Sequence, residues 1–198
     1  MRLEPYVPQL ILASTSPYRR ELLARLPVEF EVVSPGVGEE HLPRESPADR
    51  ALRLATAKAR AVSEARPGAL VIGSDQVACC GSDVLDKPGD ARRCRDQLAR
   101  LSGHSADFYT ACVLLGAQPP MHLAHVDTTT VVFRTLAAAE IERYVERERP
   151  IDCAGGFKAE GSGIALFECI ESQDPTALIG LPLIWLAAAL RSAGYALP

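Results

Sequence analysis

Apolar residues recur along this chain with two periods. Compact apolar runs at residues 10–13 (LILA), 30–33 (FEVV) and 70–73 (LVIG) have the length of buried strands. Residues 108–115 and 126–133 are longer β-rich runs. They are separated by Gly116, Pro119 and Pro120, a pattern that predicts an antiparallel pair. A further strand is expected at 164–170. Helical spacing occupies the stretches between. Ser16 and Pro17 read as the N-cap and first residue of one helix, and Ser46-Pro47 opens a long helix that Pro67-Gly68 stops near residue 66. Helices are also expected at 90–101, 136–147 and 183–193.

The pattern is broken at a few places, and these carry the candidate chemistry. Arg19 and Arg20 fall in the first turn of their helix, where the macrodipole disfavours cations. An anion such as phosphate, held between them and the free amides of the helix start, would account for the pair; two solvated arginines are the plain alternative. On the long helix, Ala51, Ala55 and Val62 share an apolar face with Lys58 at its centre, while Arg50, Arg53, Arg60 and Glu64 keep to other sides. Such a lysine either snorkels or points into a site. Asp75 follows the apolar run 70–73, at the carboxyl end of a strand, where ligands gather in α/β sheets. Lys87 precedes Pro88 and is therefore extended at a loop edge. Residues 151–161 (IDCAGGFKAEG) are glycine-rich with charged side chains between, and no Walker motif occurs.

Bulk properties narrow the partners. The 198 residues suit one domain, or two small lobes around a cleft, and 47% hydrophobic content suffices for a core. A net charge of -4 offers no footprint for nucleic acid or an anionic membrane, so an anionic ligand needs a local basic pocket. No segment has the apolar length of a membrane span, and the first ten residues do not read as a signal peptide. Six cysteines without a C-x-x-C spacing read as reduced, mostly buried thiols of a cytoplasmic protein. His122 and His125 would face opposite sides of a strand, so they are read as exposed histidines and not as a metal pair.

Taken together, Arg19, Arg20, Lys58 and Lys87 are four cations and Glu39 and Asp75 are two carboxylates. The cations suit a polyphosphate. The carboxylates suit a divalent metal, Mg²⁺ or Mn²⁺, that bridges it. That set supports hydrolysis of a phosphoanhydride. The motifs LILASTSPYRRELL, the loop at 37–39, Lys58, IGSDQV, LDKP, FYT, CAGGFKAEG and GLPL resemble, in order and spacing, the Maf family of nucleoside triphosphate pyrophosphatases over residues 9–190. Tyr18, Gln76 and Glu160 are most similar to the branch acting on 7-methyl-GTP; branches acting on dTTP and UTP carry Arg, Thr and Gln there.

The resemblance implies an α/β fold with an elongated mixed sheet, a central cleft and a homodimer. It implies that Asp75 is the catalytic base and that Glu39 and Asp75 hold the metal. Ser14, Arg19, Lys58 and Lys87 would hold the triphosphate, with Arg20 a second phosphate contact or a structural partner. Tyr18, Gln76 and Glu160 would set base preference, since a 7-methylated guanine is cationic and suits an aromatic face and a carboxylate. The family's usual Val-Asp-Glu reads Val37-Gly38-Glu39 here. The missing aspartate puts metal affinity in question, with Glu40 a possible substitute, and favours the rival expectation of a non-catalytic nucleotide-binding regulator of septum formation or cell growth.

Overall fold

Strand β1 (Leu10–Ala13) is buried at every position, as a strand covered on both faces must be. Its alternate side chains enter different cores: Leu10 and Leu12 pack with Leu22, Leu23, Leu186 and Leu190, and Ile11 and Ala13 with Ala51, Ala55 and Ala59. The computed structural model describes residues 7–117 and 120–198. Residues 1–6, read above as lacking a leader, and Gln118 and Pro119 of the interstrand loop lie outside them.

After β1 come α1 (Pro17–Leu23), β2 (Glu31–Val33), α2 (Pro47–Ala65), β3 (Leu70–Cys80), β4 (Asp83–Val84) and α3 (Ala91–Leu101). The second half comprises β5 (Ser105–Ala117), β6 (Pro120–Phe133), α4 (Ala138–Glu148), β7 (Phe167–Glu171) and α5 (Leu183–Ser192). They form one mixed seven-stranded sheet in the order β2-β1-β3-β5-β6-β7, with β4 paired to β3. β1 is parallel to β2 and β3; the β3–β5, β5–β6 and β6–β7 pairs are antiparallel. This is the α/β architecture expected, with helices on both faces.

Three local expectations are corrected. The run at 70–73 does not end there: β3 continues to Cys80, so Asp75 lies inside a strand and not after one. The polar residues Ser74, Asp75 and Gln76 hold strand geometry because β5 pairs with them through Cys112, Ala111 and Thr110. Residues 164–166 belong to a 3-10 turn, Ser162–Leu166, and only Phe167 onward is strand. His125 is half-buried, stacked on Trp185 of α5 with ring centroids 5.4 Å apart, while His122 is exposed.

The cysteines are all free. Cys79, Cys94 and Cys112 are buried, Cys80 and Cys153 half-buried, and Cys169 exposed. Among the described residues no helix is long and apolar enough to cross a membrane. A third core, beneath α3 and α4, is organised by Phe157, which meets Phe108, Phe133 and Phe167 edge-to-face at 5.4, 5.6 and 4.9 Å. This ring anchors the glycine-rich segment 151–161.

Candidate active site

The sheet has a gap beside β3. β1 stops at Ala13, opposite Gly73, and β4 joins β3 only at Cys79. Between them β3 has β5 on one side and, among the described residues, no strand on the other. A cavity of about 700 Å³ opens at this gap, a size that suits a nucleotide. Ser14, Tyr18, Arg19, Glu39, Lys58, Asp75, Gln76, Lys87 and Glu160 all line it. Nine of the ten site residues expected from sequence thus converge on one space. Arg20 is exposed and does not line it.

Lys58 reaches the cavity because α2 lies against β3. Ser46 caps this helix, accepting from Asp49 N–H at 3.1 Å, and Pro47 occupies its first turn. Its small residues allow close approach: a Cβ on Gly73 would fall 2.2 Å from the Ala55 carbonyl oxygen and 2.8 Å from Ala59 Cβ. At this distance Lys58 Nζ donates to Asp75 Oδ1 at 2.5 Å and meets Glu39 Oε1 at 2.6 Å. Lys58 and Asp75 are buried. The hydrogen bond from Lys58 holds the Glu39 carboxyl below its ordinary pKa, outweighing desolvation, with further help from the Lys58, Lys87 and Arg19 charges.

Glu39 belongs to a loop without regular structure, and two arginines of α2 hold that loop. Arg53 pairs with both Glu45 oxygens, at 2.5 and 2.8 Å, and donates to the Glu40 carbonyl at 3.0 Å. Arg50 donates to the Glu39 carbonyl at 3.3 Å and to His41 Nδ1 at 3.0 Å. Arg50 also lines the cavity, on the same side of the helix as Leu54 and Lys58, which corrects its placement on another face. The spacing 50, 54, 58 is the signal that marked it. Val37 and Glu39 face the cavity, whereas Gly38 and Glu40 do not line it. The Glu40 carboxylate sits against Gly38, within 2.5 Å of where a Cβ would be. Glu40 therefore does not enter the cavity as a substitute.

A second set of contacts orients Arg19. Ser16 caps α1, its hydroxyl accepting from Arg19 N–H at 3.4 Å, and Ser14 Oγ accepts from Ser16 N–H at 3.1 Å. Arg19 Nε donates to the Gly180 carbonyl at 2.9 Å, and Ser74 Oγ donates to the same oxygen at 2.9 Å. Gly180 has φ 122°, a conformation that favours glycine. Burial lowers the Arg19 pKa, against the opposing fields of Asp75, Cys112 and Glu39. Gln76 Nε2 lies 2.9–3.1 Å from the carbonyls of Ala177 and Leu178 and from Thr110 Oγ1, three acceptors that share its two hydrogens. Its amide hydrogens are thus spent on the protein, which leaves Oε1 as the atom for a ligand donor. Lys87 is exposed on the wall, and Gln97 of α3 steadies its loop by donating to the Asp86 carbonyl at 3.2 Å.

Around Tyr18 the wall changes character. The Tyr18 hydroxyl donates to Asp152 Oδ2 at 3.3 Å, and the Cys153 thiol donates to the Tyr18 oxygen at 3.6 Å. Burial, then Cys153 and Asp152, raise the Tyr18 pKa, so the phenol stays protonated. Burial also pushes the Cys153 thiol up to about 11. Asp152 and Cys153 line the cavity and were not among the expected site residues.

The residues present fit a small, hard divalent cation. Glu39 and Asp75 point carboxylate oxygens at a common position, now bridged by the Lys58 ammonium. Two carboxylates, completed by water and substrate phosphate oxygens, are a usual donor set for Mg²⁺. Among the described residues no group of three or more His, Cys, Asp or Glu side chains forms a site made of protein ligands alone.

The family described as Maf-like protein matches residues 9–193. The 7-methyl-GTP pyrophosphatase of Xanthomonas oryzae pv. oryzae (strain MAFF 311018) is 52% identical over 192 residues, 97% of this chain and 100% of that protein. Those of Bordetella parapertussis and Nitrosococcus oceani are 50% and 47% identical, covering 94% and 96% of this chain and 93% and 96% of theirs. A solved protein of Vibrio cholerae is similar over 72% of each chain at 14% identity and a TM-score of 0.33, too distant to inform the fold. With nearly its whole length matched, the chain belongs to the Maf family.

Proposed function

We propose that this chain is a nucleotide pyrophosphatase that hydrolyses 7-methyl-GTP to 7-methyl-GMP and pyrophosphate, with a divalent metal as cofactor. The observation that carries the reading is Lys58, buried between Glu39 and Asp75 in a cavity also lined by Arg19 and Lys87. The same activity in relatives at about half identity supports the substrate. Arg19, Lys58 and Lys87 receive the phosphate oxygens and stabilise the charge that grows on the departing pyrophosphate. Asp75 has one oxygen fixed by Lys58. Its other oxygen, Oδ2, takes the proton of a water that attacks as the α–β phosphoanhydride breaks. Glu39 and Asp75 would hold the metal, which when bound neutralises phosphate charge and orients water. A homodimer in the cytoplasm is the expected setting.

The test is a panel of 7-methyl-GTP, GTP, dTTP and UTP with separate assays for pyrophosphate and orthophosphate. Pyrophosphate release highest with 7-methyl-GTP, lost in Asp75→Asn and on chelation, is the expected result. Orthophosphate as first product, or an active Asp75→Asn variant, would rule out the mechanism. A preference for dTTP or UTP would rule out the assigned substrate.

A further inference from the structure

We propose that Asp152 is a specificity-determining residue that favours a cationic purine over a neutral one, acting together with the Tyr18 ring to which it is bonded. The inference rests on the nucleotide reading above and adds a residue to it. Three features carry it. Asp152 lines the cavity and accepts the Tyr18 hydroxyl at 3.3 Å, so carboxylate and ring are presented as one unit although 134 residues separate them.

Second, Asp152 enters no ion pair among the described residues. Glu39 and Asp75 on the same wall share the Lys58 ammonium, but neither Asp152 nor Glu160 has an ion-pair partner among the described residues. Lys158, two residues before Glu160, donates instead to the Glu148 carbonyl at 3.2 Å. Asp86, a further acid on the wall, lies beside Lys87 in the loop assigned to phosphate.

Third, such carboxylates repel a polyanionic ligand unless the ligand brings a positive charge of its own to that end of the cavity. Guanine methylated at N7 carries that charge, and guanine does not. With the Tyr18 hydroxyl committed to Asp152, the ring offers its face, which attracts the same cation.

Asp152 is exposed, so its effect is modest and screened by salt. The decisive variant is Asp152→Asn, which keeps an acceptor for Tyr18 and removes the charge. Asp152→Asn is expected to lower kcat/KM for 7-methyl-GTP about fivefold more than for GTP at low salt. The difference should shrink as salt is raised. Equal effects on both nucleotides, or none, would overturn the role of Asp152 while leaving the pyrophosphatase reading in place. Wild-type protein that turns over other nucleotides but not 7-methyl-GTP would overturn the substrate reading and, with it, this inference. Retained thermal stability of the variant excludes misfolding as the cause of any loss.

Discussion

Lys58 Nζ lies 2.5 Å from Asp75 Oδ1, with side chains only 8% and 9% exposed. Removing one partner of so buried a pair leaves a charge without compensation. Lys58→Met is expected to cost about 3 kcal/mol of stability and to abolish turnover. Adding Asp75→Asn to it should restore part of the lost stability but no activity, because the two effects are strongly non-additive. Chemical denaturation of both single variants and the double variant, beside a pyrophosphate assay, separates the structural part of the pair from its chemical part.

Gly73 sets the distance across which that pair forms. In Gly73→Ala the new methyl would meet the Ala55 backbone oxygen at 2.2 Å, and a backbone atom cannot swing aside. Helix α2 must therefore shift away from β3. A loss of about 2 kcal/mol is expected, together with a fall in kcat larger than any change in KM, since Lys58 and Asp75 no longer meet correctly. Urea melts and steady-state kinetics check both.

Arg50 and Arg53 hold the loop that carries Glu39, and are expected to act on the proposed reaction through it. Their contacts with the 39–45 loop are partly exposed, so truncation to alanine should change stability by under about 1 kcal/mol. Activity should fall much further, by about tenfold, because Glu39 loses its fixed position. Raising the metal concentration is expected to recover part of the loss in Arg53→Ala and none in Glu39→Gln.

The depressed pKa of Glu39 gives a pH signature. A carboxyl whose folded pKa lies below its ordinary value of about 4.5 contributes stability that is complete above that value. The contribution is lost as the pH falls through the lower folded pKa. Wild type and Glu39→Gln should therefore differ most in stability at neutral pH and converge in acid. A constant difference across a thermal-melt series down to pH 3 would show that the Lys58 bond does not hold the Glu39 charge.

Much of this site was legible in the sequence for a local reason. A lysine centred on an alanine stripe and two arginines at a capped helix start each violate a short-range rule, and each violation marks its residue. Lys58 is buried between two acids and Arg19 lines the cavity as expected; Arg20 does not, because it is exposed on its short helix. Asp152 was not legible, since an aspartate in a glycine-rich loop breaks no local rule. Its significance comes from Tyr18, which only the fold brings near. The length of β3 was hidden likewise. Gly73 reads as punctuation in one dimension, but it is a contact point between a strand and a helix.

The site draws on two kinds of backbone. Asp75 and Gln76 sit within an eleven-residue strand paired along its length with β5, whereas Asp152, Cys153 and Glu160 sit on a segment held by Phe157 packing and by hydrogen bonds to Tyr144, Glu148 and Gly89. Of the residues proposed to choose the base, Asp152 and Glu160 thus lie on backbone separate from the Asp75 strand, while Gln76 shares it. Replacing Asp152 and Glu160 along with Tyr18, while leaving Phe157 and the Asp75 strand in place, is therefore expected to shift nucleotide preference more than the rate of cleavage.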